Sequence, residues 1–232
     1  MLQEVKTICL SLPYKLGSVN CFLIKTDFGY ILIDTGSSNQ RSELERELEE
    51  AGCRPGDLKL IILTHGDFDH TGNAAYLRKM FATKIAMHIG DTGMIERGDM
   101  FWNRGRGNFL MRMMVPILTG FGKSERCKPD IYIEEGYDLS GYGFDAKVIN
   151  IPGHSKGSIG ILTAGGDPSA GSGQVLFCGD LLMNDKSGPH PGFGYSADFR
   201  PSLEKLKSLE IETVYPGHGK PFPLELFVKN FR

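Results

Sequence analysis

The sequence predicts a mixed α/β protein in which two β-sheets are covered by helices, within one domain that spans residues 1–232. Short apolar runs of strand-like composition alternate with amphipathic stretches, in the order strands, helices, strands, helices. The 232 residues are enough for one sizeable core, and 41% hydrophobic and 23% charged residues are typical of a globular protein. The Gly-, Ser- and Pro-rich stretch 165–173 is interpreted as a turn between strands and not as a domain linker.

The amino-terminal half is predicted to begin with strands and to continue with alternating helices and strands. Asp27-Phe28-Gly29 separates two β-rich runs and indicates a hairpin turn. Leu44 and Leu48 lie four residues apart and define the apolar face of a helix that Gly52 ends. The predicted elements are strands at 19–24, 30–33, 60–63 and 84–88 and helices at 39–51 and 71–80.

The carboxyl-terminal half is predicted to contain a second group of strands. Each run is short, apolar and rich in β-branched residues, and turn residues lie between the runs. The predicted elements are strands at 131–133, 144–151, 158–163, 174–178 and 213–215, a helix at 201–209 and a short tail at 221–232.

The segment between the two halves, 91–130, is unusually rich in aromatic residues and methionine. Apolar residues repeat at helical spacing from Phe109 to Phe121, and Pro116 would kink or restart the helix. Such a wide apolar face is typical of core or of a dimer interface, and a lid over a hydrophobic pocket is the other interpretation, since methionine-rich surfaces adapt to varied ligands. We expect a helical insertion that acts as a lid or as a homodimer interface through 101–121.

One short stretch concentrates potential metal ligands. Thr64-His65-Gly66-Asp67-Phe68-Asp69-His70 follows the apolar strand 60–63 and precedes a helix, so it forms a strand-to-helix turn. Such a turn redirects successive side chains, and imidazole nitrogens with carboxylate oxygens are ligands for zinc, iron and harder cations. Without the rest of the chain, a polar turn with helix-capping aspartates would also explain these residues.

Three later strand ends carry the same types of residue. His154, Asp180 and His218 each follow a predicted strand, and each has glycine beside it, which permits close backbone approach. Four of the six histidines lie in these positions or in the first stretch, so one shared metal cluster is predicted. His88 also ends a strand, but it has no carboxylate or histidine within two residues and is interpreted as structural. Asp34, at the end of strand 30–33, has two interpretations: it orients a metal ligand from outside the cluster, or it accepts hydrogen bonds from turn amides.

Composition excludes several other classes of function. A net charge of −2 provides no basic surface for nucleic acid or for a membrane, and no apolar run approaches the roughly 20 residues that cross a bilayer. The first residues lack the pattern of an export signal. Five cysteines, an odd number without CxxC spacing, argue against a disulfide framework. We therefore expect a cytoplasmic protein that acts on a small molecule.

The ordered motifs HGDFDH, PGHSKGS, FCGD and YPGHG, preceded by Leu32-Ile33-Asp34-Thr35-Gly36, resemble the ligand pattern of the metallo-β-lactamase superfamily. The resemblance extends from Asp34 to Gly219. It implies a four-layer αββα sandwich with a dinuclear metal site at one edge of its two sheets. By this resemblance, His65, Asp67 and His154 would hold one metal ion, Asp69, His70 and His218 would hold the other, and Asp180 would bridge them.

The chain departs from the commonest family motif at Asp67, where the family usually has a second histidine. Three carboxylates and a bridging hydroxide would carry four negative charges and cancel two divalent cations, whereas a site with histidine at position 67 would keep one positive charge. We therefore expect a less acidic bound water and a shift of preference from zinc toward iron or manganese.

The resemblance implies a hydrolase that uses a metal-bridged hydroxide, with Asp69 and Asp180 as its catalytic carboxylates. We expect a small, partly hydrophobic ester, thioester or lactone as substrate. The glyoxalase II activity is disfavoured at this stage, because those relatives carry a further carboxyl-terminal glutathione-binding region. The alternatives are a di-iron oxidoreductase acting on oxygen, nitric oxide or a persulfide, and a phosphodiesterase. Candidate substrate-binding residues are Trp102, His190 and Tyr195, the last two also interpretable as plain loop residues.

Overall fold

The computed structural model describes residues 4–12, 17–102, 104, 109–163, 173–194 and 196–231. Its first sheet has six strands in the order β1-β2-β3-β4-β5-β6. The first three strands are antiparallel neighbours, and the last four pair in parallel. The strands are β1 (Val5–Ser11), β2 (Ser18–Thr26), β3 (Gly29–Ile33), β4 (Leu58–Leu63), β5 (Lys84–Met87) and β6 (Ile131–Tyr132).

The second sheet has five strands in the order β13-β12-β9-β8-β7, and a separate hairpin, β10-β11, lies outside it. Only β9 and β12 are parallel in this sheet. The strands are β7 (Ala146–Asn150), β8 (Ile159–Thr163), β9 (Gln174–Gly179), β10 (Leu182–Asp185), β11 (Gly188–Pro191), β12 (Ile211–Pro216) and β13 (Phe222–Pro223).

Helices cover the outer face of each sheet and give the molecule four layers. Alternate residues of a strand point to opposite faces, so in β3 Ile31 and Ile33 face the second sheet while Leu32 faces the helices. Three buried clusters result: helix against first sheet, sheet against sheet, and second sheet against helix. The helices are α1 (Arg41–Glu50), α2 (Phe68–Thr71), α3 (Ala74–Phe81), α4 (Thr92–Arg97), α5 (Phe109–Thr119), α6 (Phe199–Lys207) and α7 (Leu224–Asn230). The predicted αββα sandwich is confirmed.

The structure differs from the predicted elements at three places. The helix expected over 71–80 is two helices, α2 and α3, with Gly72 and Asn73 between them. The tail expected over 221–232 contains β13 and α7, and α7 buries Leu224 and Phe227 against the second sheet. The hairpin β10-β11 was not anticipated, because Pro189 and Pro191 argue against a strand in the sequence. The prediction of a single domain over 1–232 stays a prediction.

The insertion 91–130 contains α4 and α5, and α5 has no buried residue. Seven of its apolar side chains are at least 40% exposed, so the interpretation of this helix as core is wrong. The carboxyl end of α5 is tied to the loop after β3, where Ser37 Oγ and Ser38 Oγ donate to the carbonyl of Thr119. Immediately after α5, the ring of Phe121 stacks on Phe68 of α2, with ring centroids 4.0 Å apart. The insertion is therefore anchored beside α2.

Among the described residues, no helix is both long enough and apolar enough to cross a bilayer.

Candidate metal centre

The predicted ligands converge at the edge where the parallel strands end. His65 and Asp34 follow β4 and β3 of the first sheet, and Asp180 and His218 follow β9 and β12 of the second. Two groups result, each with ligand atoms within 4.8 Å of one another. The groups are His65, His154 and Asp180, and Asp69, His70 and His218.

Asp180 lies between the two groups. Its Oδ1 is 3.2 Å from His70 Nε2, and its Oδ2 is 3.2 Å from His218 Nε2 and 4.0 Å from His65 Nε2. A carboxylate with its two oxygens facing histidines of both groups is placed as the resemblance implies for a bridging ligand.

Asp67 completes the first group and has an unexpected partner. Its Oδ2 is 3.0 Å from His154 Nε2 and 3.7 Å from His65 Nε2, while its Oδ1 is 2.6 Å from Nη1 of Arg104. Arg104 therefore restores the positive charge that the replacement of histidine by Asp67 removes. With Arg104 included, a site that holds two divalent cations keeps one positive charge. Charge balance therefore gives no reason to prefer iron or manganese over zinc.

The cluster fits divalent cations on the evidence of its own buried atoms. His65 Nε2 and Asp180 Oδ1 are inaccessible to solvent and have no hydrogen-bond partner among the described residues. Leaving such atoms unpaired costs about 1–3 kcal/mol each. Two ligands bound at zinc distances of about 2.1 Å lie about 3.4 Å apart, close to the separations between ligand atoms found here. The separations between the ligand atoms therefore fit their arrangement around cations.

Mutual electrostatics dominate the protonation of the cluster. Burial alone would lower the pKa of His218, but Asp180 and Asp69 outweigh it and raise the pKa to about 10. For His70 too, the effect of burial is outweighed by Asp180, Asp69 and Asp34, and its pKa lies well above the ordinary value. Burial opposes ionisation of Asp180, yet His218 and His70 hold its pKa well below the usual range. Without cations, the cluster therefore keeps ionised carboxylates beside protonated histidines.

Asp34 supports the second group from outside. Its Oδ2 is 2.9 Å from His70 Nδ1 and also accepts a hydrogen bond from Thr64 Oγ1, and its Oδ1 accepts one from Thr64 N. Both interpretations of this aspartate hold, since it orients a ligand ring and accepts a hydrogen bond from a turn amide. A carboxylate on the far nitrogen of a ligand histidine fixes the ring and its tautomer.

Asp91 supports the first group, and the sequence did not indicate it. This buried carboxylate accepts hydrogen bonds from Gly66 N in the first motif and from Ser155 Oγ and Gly157 N in the PGHSKGS motif. It thereby ties together the two loops that carry His65 and His154. The residues around Asp91 resemble an ordinary helix start, so no local pattern distinguishes it.

Asn20 and Gly217 fix the loop of His218 against the first sheet. Asn20 on β2 donates through Nδ2 to the carbonyls of Pro216 and Gly219. A Cβ atom at Gly217 would lie 2.3 Å from Asp180 Oδ1 and 2.7 Å from His70 Cε1, so only glycine fits there. The predicted close backbone approach is thus seen at Gly217.

The candidate substrate-binding residues are distributed around the cluster. His190, on β11, lines a cavity of about 350 Å³ beside His218 and lies 3.4 Å from Asp185 through Nε2. The guanidinium of Arg97 lies over the ring of Trp102, with Arg97 Cζ 3.9 Å from the ring centroid. His88 accepts from Gly90 N in its own turn. Tyr195 lies outside the described residues. The roles of His190, Trp102 and Tyr195 stay predictions.

A four-layer αββα fold with a cluster of histidines and aspartates at the sheet edge defines a class of metal-dependent hydrolases. Residues 14–218 match the family model of the metallo-beta-lactamase superfamily. The chain belongs to this superfamily, as the resemblance predicted.

Individual relatives agree with this assignment. The chain is 28% identical to the probable metallo-hydrolase YqjP of Bacillus subtilis, over 94% of the chain and 72% of that protein. It is 30% identical to the hydroxyacylglutathione hydrolase GloC of Haemophilus influenzae, over 90% of the chain and 89% of that protein. A solved metallo-beta-lactamase family protein of Thermus thermophilus superimposes with a TM-score of 0.71, at 24% identity, over 97% of the chain and 77% of that structure. The protein is a metallo-hydrolase of this fold.

The match to GloC removes one argument made from the sequence. A glyoxalase II activity was disfavoured because those relatives carry a further carboxyl-terminal glutathione-binding region. The match covers 89% of GloC, so a hydroxyacylglutathione hydrolase aligns with the chain over nearly its whole length.

Proposed function

We propose that the protein hydrolyses a small, partly hydrophobic thioester, ester or lactone with the help of two divalent cations. The observation that carries the proposal is the placement of Asp180, whose Oδ2 lies 4.0 Å from His65 Nε2 in the first group and 3.2 Å from His218 Nε2 in the second. The likeness to a hydroxyacylglutathione hydrolase supports a thioester as the first substrate class to test.

Two cations bound here would lower the pKa of a bound water and polarise the carbonyl that is attacked. One cation would be held by His65, Asp67 and His154. The other would be held by Asp69, His70 and His218, and Asp180 would contribute to both. Asp34 fixes the ring of His70, and Arg104 neutralises the extra carboxylate of Asp67. These residues hold their ligand atoms in place before any substrate binds.

Asp69 is the residue that we propose to move a proton. Its side chain is 22% exposed, more than those of Asp67 and Asp180, and its Oδ2 is 3.4 Å from His218 Nε2. His70 and His218 outweigh the effect of burial and lower the pKa of Asp69, so its carboxylate is ionised at neutral pH. An ionised oxygen that reaches solvent can accept a proton from the attacking water and pass it to the leaving group.

The di-iron redox alternative rested on Asp67. Because Arg104 compensates the charge of Asp67, no contact in the described part of the chain favours that chemistry over hydrolysis. Phosphodiester hydrolysis likewise has no observation in its favour.

Metal quantitation combined with a substrate panel tests the proposal. We expect about two zinc, iron or manganese ions per chain and turnover of thioesters, esters or lactones, with thioesters fastest. Asp180→Asn, which keeps the shape of the side chain, should lose that turnover. Turnover of oxygen or nitric oxide without hydrolysis of any carboxylic derivative, or hydrolysis of phosphodiesters alone, would overturn it.

We also propose that the protein is cytoplasmic and forms a homodimer. All five cysteines are free thiols, which suits the reducing cytoplasm. The exposed apolar face of α5 suits a homodimer through 101–121. Sedimentation of the wild type and of Ile117→Glu tests the dimer: a wild-type dimer that the variant converts to a monomer is expected, and a wild-type monomer would refute it.

A further inference from the structure

Arg104 presents donors that its bond to Asp67 does not use. Nη1 lies 2.6 Å from Asp67 Oδ1, whereas Nε and Nη2 are inaccessible to solvent and have no hydrogen-bond partner in the part of the chain that the structure describes. Nε and Nη2 form the edge of a guanidinium that binds a carboxylate or phosphate through two parallel hydrogen bonds. The side chain is only 14% exposed, so the unused edge carries a desolvation cost that an anion would relieve.

A cavity lies beside this arginine and beside a metal-ligand candidate. Its volume is about 130 Å³, and Arg104, His154, Ser155 and Lys156 contribute to its walls. Lys156 is exposed and forms no ion pair within the described residues. Two positively charged side chains, Arg104 and Lys156, therefore line a space large enough for a carboxylate or a phosphate group.

One acidic residue shares this cavity. Asp198 lines it, and its carboxylate accepts a hydrogen bond from Ser196 Oγ. Asp198 is exposed to solvent, whereas the side chain of Arg104 is only 14% exposed, so solvent screens the charge of the aspartate more than that of the arginine.

A second and larger cavity lies beside His218. Its volume is about 350 Å³, and Met183 and Phe193 contribute apolar surface to it. The two cavities meet at one turn, where the consecutive residues Phe193 and Gly194 line one cavity each. His154 and His218 line one each as well, so a single substrate that occupies both cavities would contact both histidines.

We propose that the cavity walled by Arg104 and Lys156 binds an oxyanionic group of the substrate, a carboxylate or a phosphate, while the cavity beside His218 takes the larger, partly apolar group. The proposal rests on the proposed hydrolase function for the reaction and adds a substrate class, namely anionic esters or thioesters whose charge lies on one side of the scissile bond.

Matched substrates test the preference. We compare kcat/KM of the metal-loaded enzyme for three thioesters that differ only in their terminal group. The terminal group is a carboxylate, a carboxamide or a phosphate. Hydrogen bonds to charged groups contribute enough to predict a kcat/KM about 10- to 100-fold higher for at least one anionic substrate than for the carboxamide. The carboxylate and phosphate arms identify which oxyanion the site prefers.

Variants then locate the site. Lys156→Met should raise KM for the preferred anionic substrate about two- to fivefold, leave kcat unchanged and leave the carboxamide unaffected, since an exposed charge contributes little. Arg104→Lys keeps the charge but loses the bidentate edge, and should raise KM for the anionic substrate about tenfold at unchanged metal content. Lys84→Met, an exposed lysine at the start of β5 and so at the other end of the sheet, is the matched control and should change neither substrate.

Calorimetry with unreactive succinamate and inorganic phosphate provides a readout that needs no turnover. Weaker binding of the anion to Lys156→Met than to Lys84→Met supports the site even if no thioester is hydrolysed, in which case only the proposed function fails. Hydrolysis without any preference for the anionic substrates, or equal effects of Lys156→Met on the anionic and neutral substrates, would overturn the anion site and leave the hydrolase function standing.

Discussion

The two halves of the ligand cluster are supported in different ways. In the second group, Asp34 accepts directly from the ring of His70, and the ring of His218 donates through Nδ1 to the carbonyl of Ser18 on β2. In the first group, Asp91 holds the loops and not the rings, and Nδ1 of His154 contacts the carbonyl of Phe193 outside the two sheets. Two rings of the second group are thus tied to the first sheet, whereas in the first group the ring of His154 is tied to a loop and Asp67 to Arg104 of the insertion.

The largest expected effect comes from the residue that the two halves share. Asp180→Ala removes the oxygens that face His65 in the first group and His70 and His218 in the second, so both groups should lose cation affinity together. Activity should fall about 10³-fold or more, corresponding to roughly 4 kcal/mol of lost transition-state stabilisation. Metal content after dialysis and kcat/KM measure this. Retention of one tightly bound ion would show that one half is independent of Asp180.

Arg104→Met should affect only the first half. In the ion-free protein it leaves the buried carboxylate of Asp67 without its cationic partner, which should lower the free energy of unfolding by about 2–3 kcal/mol. Excess zinc should restore most of this loss, because a bound cation replaces the missing positive charge. Urea unfolding with and without zinc measures both effects.

Arg46→Met is the control for this prediction. Arg46 also faces glutamates, but its side chain is 59% exposed, so the change should be below about 0.5 kcal/mol. An equal loss in both variants would mean that the Arg104 pair contributes no more than a surface pair.

A pair of isosteric variants separates the two kinds of support. Asp34→Asn removes the carboxylate from the ring of His70 and should weaken one of the two zinc-binding steps about 10- to 100-fold. Asp91→Asn disturbs the loop amides instead and should mainly lower stability, by about 1–3 kcal/mol. Zinc titration and thermal unfolding of both proteins make the comparison. Identical profiles would erase the distinction between ring support and loop support.

The smallest expected effect is on pH dependence. The pKa of His218 in the folded, ion-free protein is raised to about 10 from 6.5, so its stabilising contribution is complete below about pH 6.5 and is lost as the pH rises toward 10. Between pH 7 and 8 the free energy of unfolding should fall by about 1.2 kcal/mol for one such histidine. With zinc bound, the histidine is already deprotonated and the slope should disappear. A pH-independent ion-free protein would contradict the raised pKa.

The candidate ligands could be predicted because strand ends are visible in the sequence as apolar runs that stop at glycine or a polar residue. His154, Asp180 and His218 all carry this signal, and the parallel pairing of β9 with β12 brings the last two to one edge. The layered fold followed from the same runs. Both were therefore recoverable from local patterns.

The supporting residues could not be predicted in this way. Arg104 and Asp91 act through contacts with residues far away in the chain, and neither is marked by its neighbours. The net charge around Asp67 could not be predicted for this reason, because its cationic partner lies outside the motifs. Helix α7 is different: Leu224, Phe227 and Val228 have helical spacing, so its signal was present in a stretch interpreted as tail.

The stacking of Phe121 on Phe68 has a mechanical consequence. Phe68 stands between Asp67 and Asp69 in the chain, and its ring is fully buried against a residue that immediately follows α5. An outward tilt of α5 would pull on this aromatic pair and hence on the backbone of both neighbouring aspartates, which belong to different ligand groups. Crowding or docking on the exposed face of the helix would therefore be transmitted to both cation positions through a single side chain.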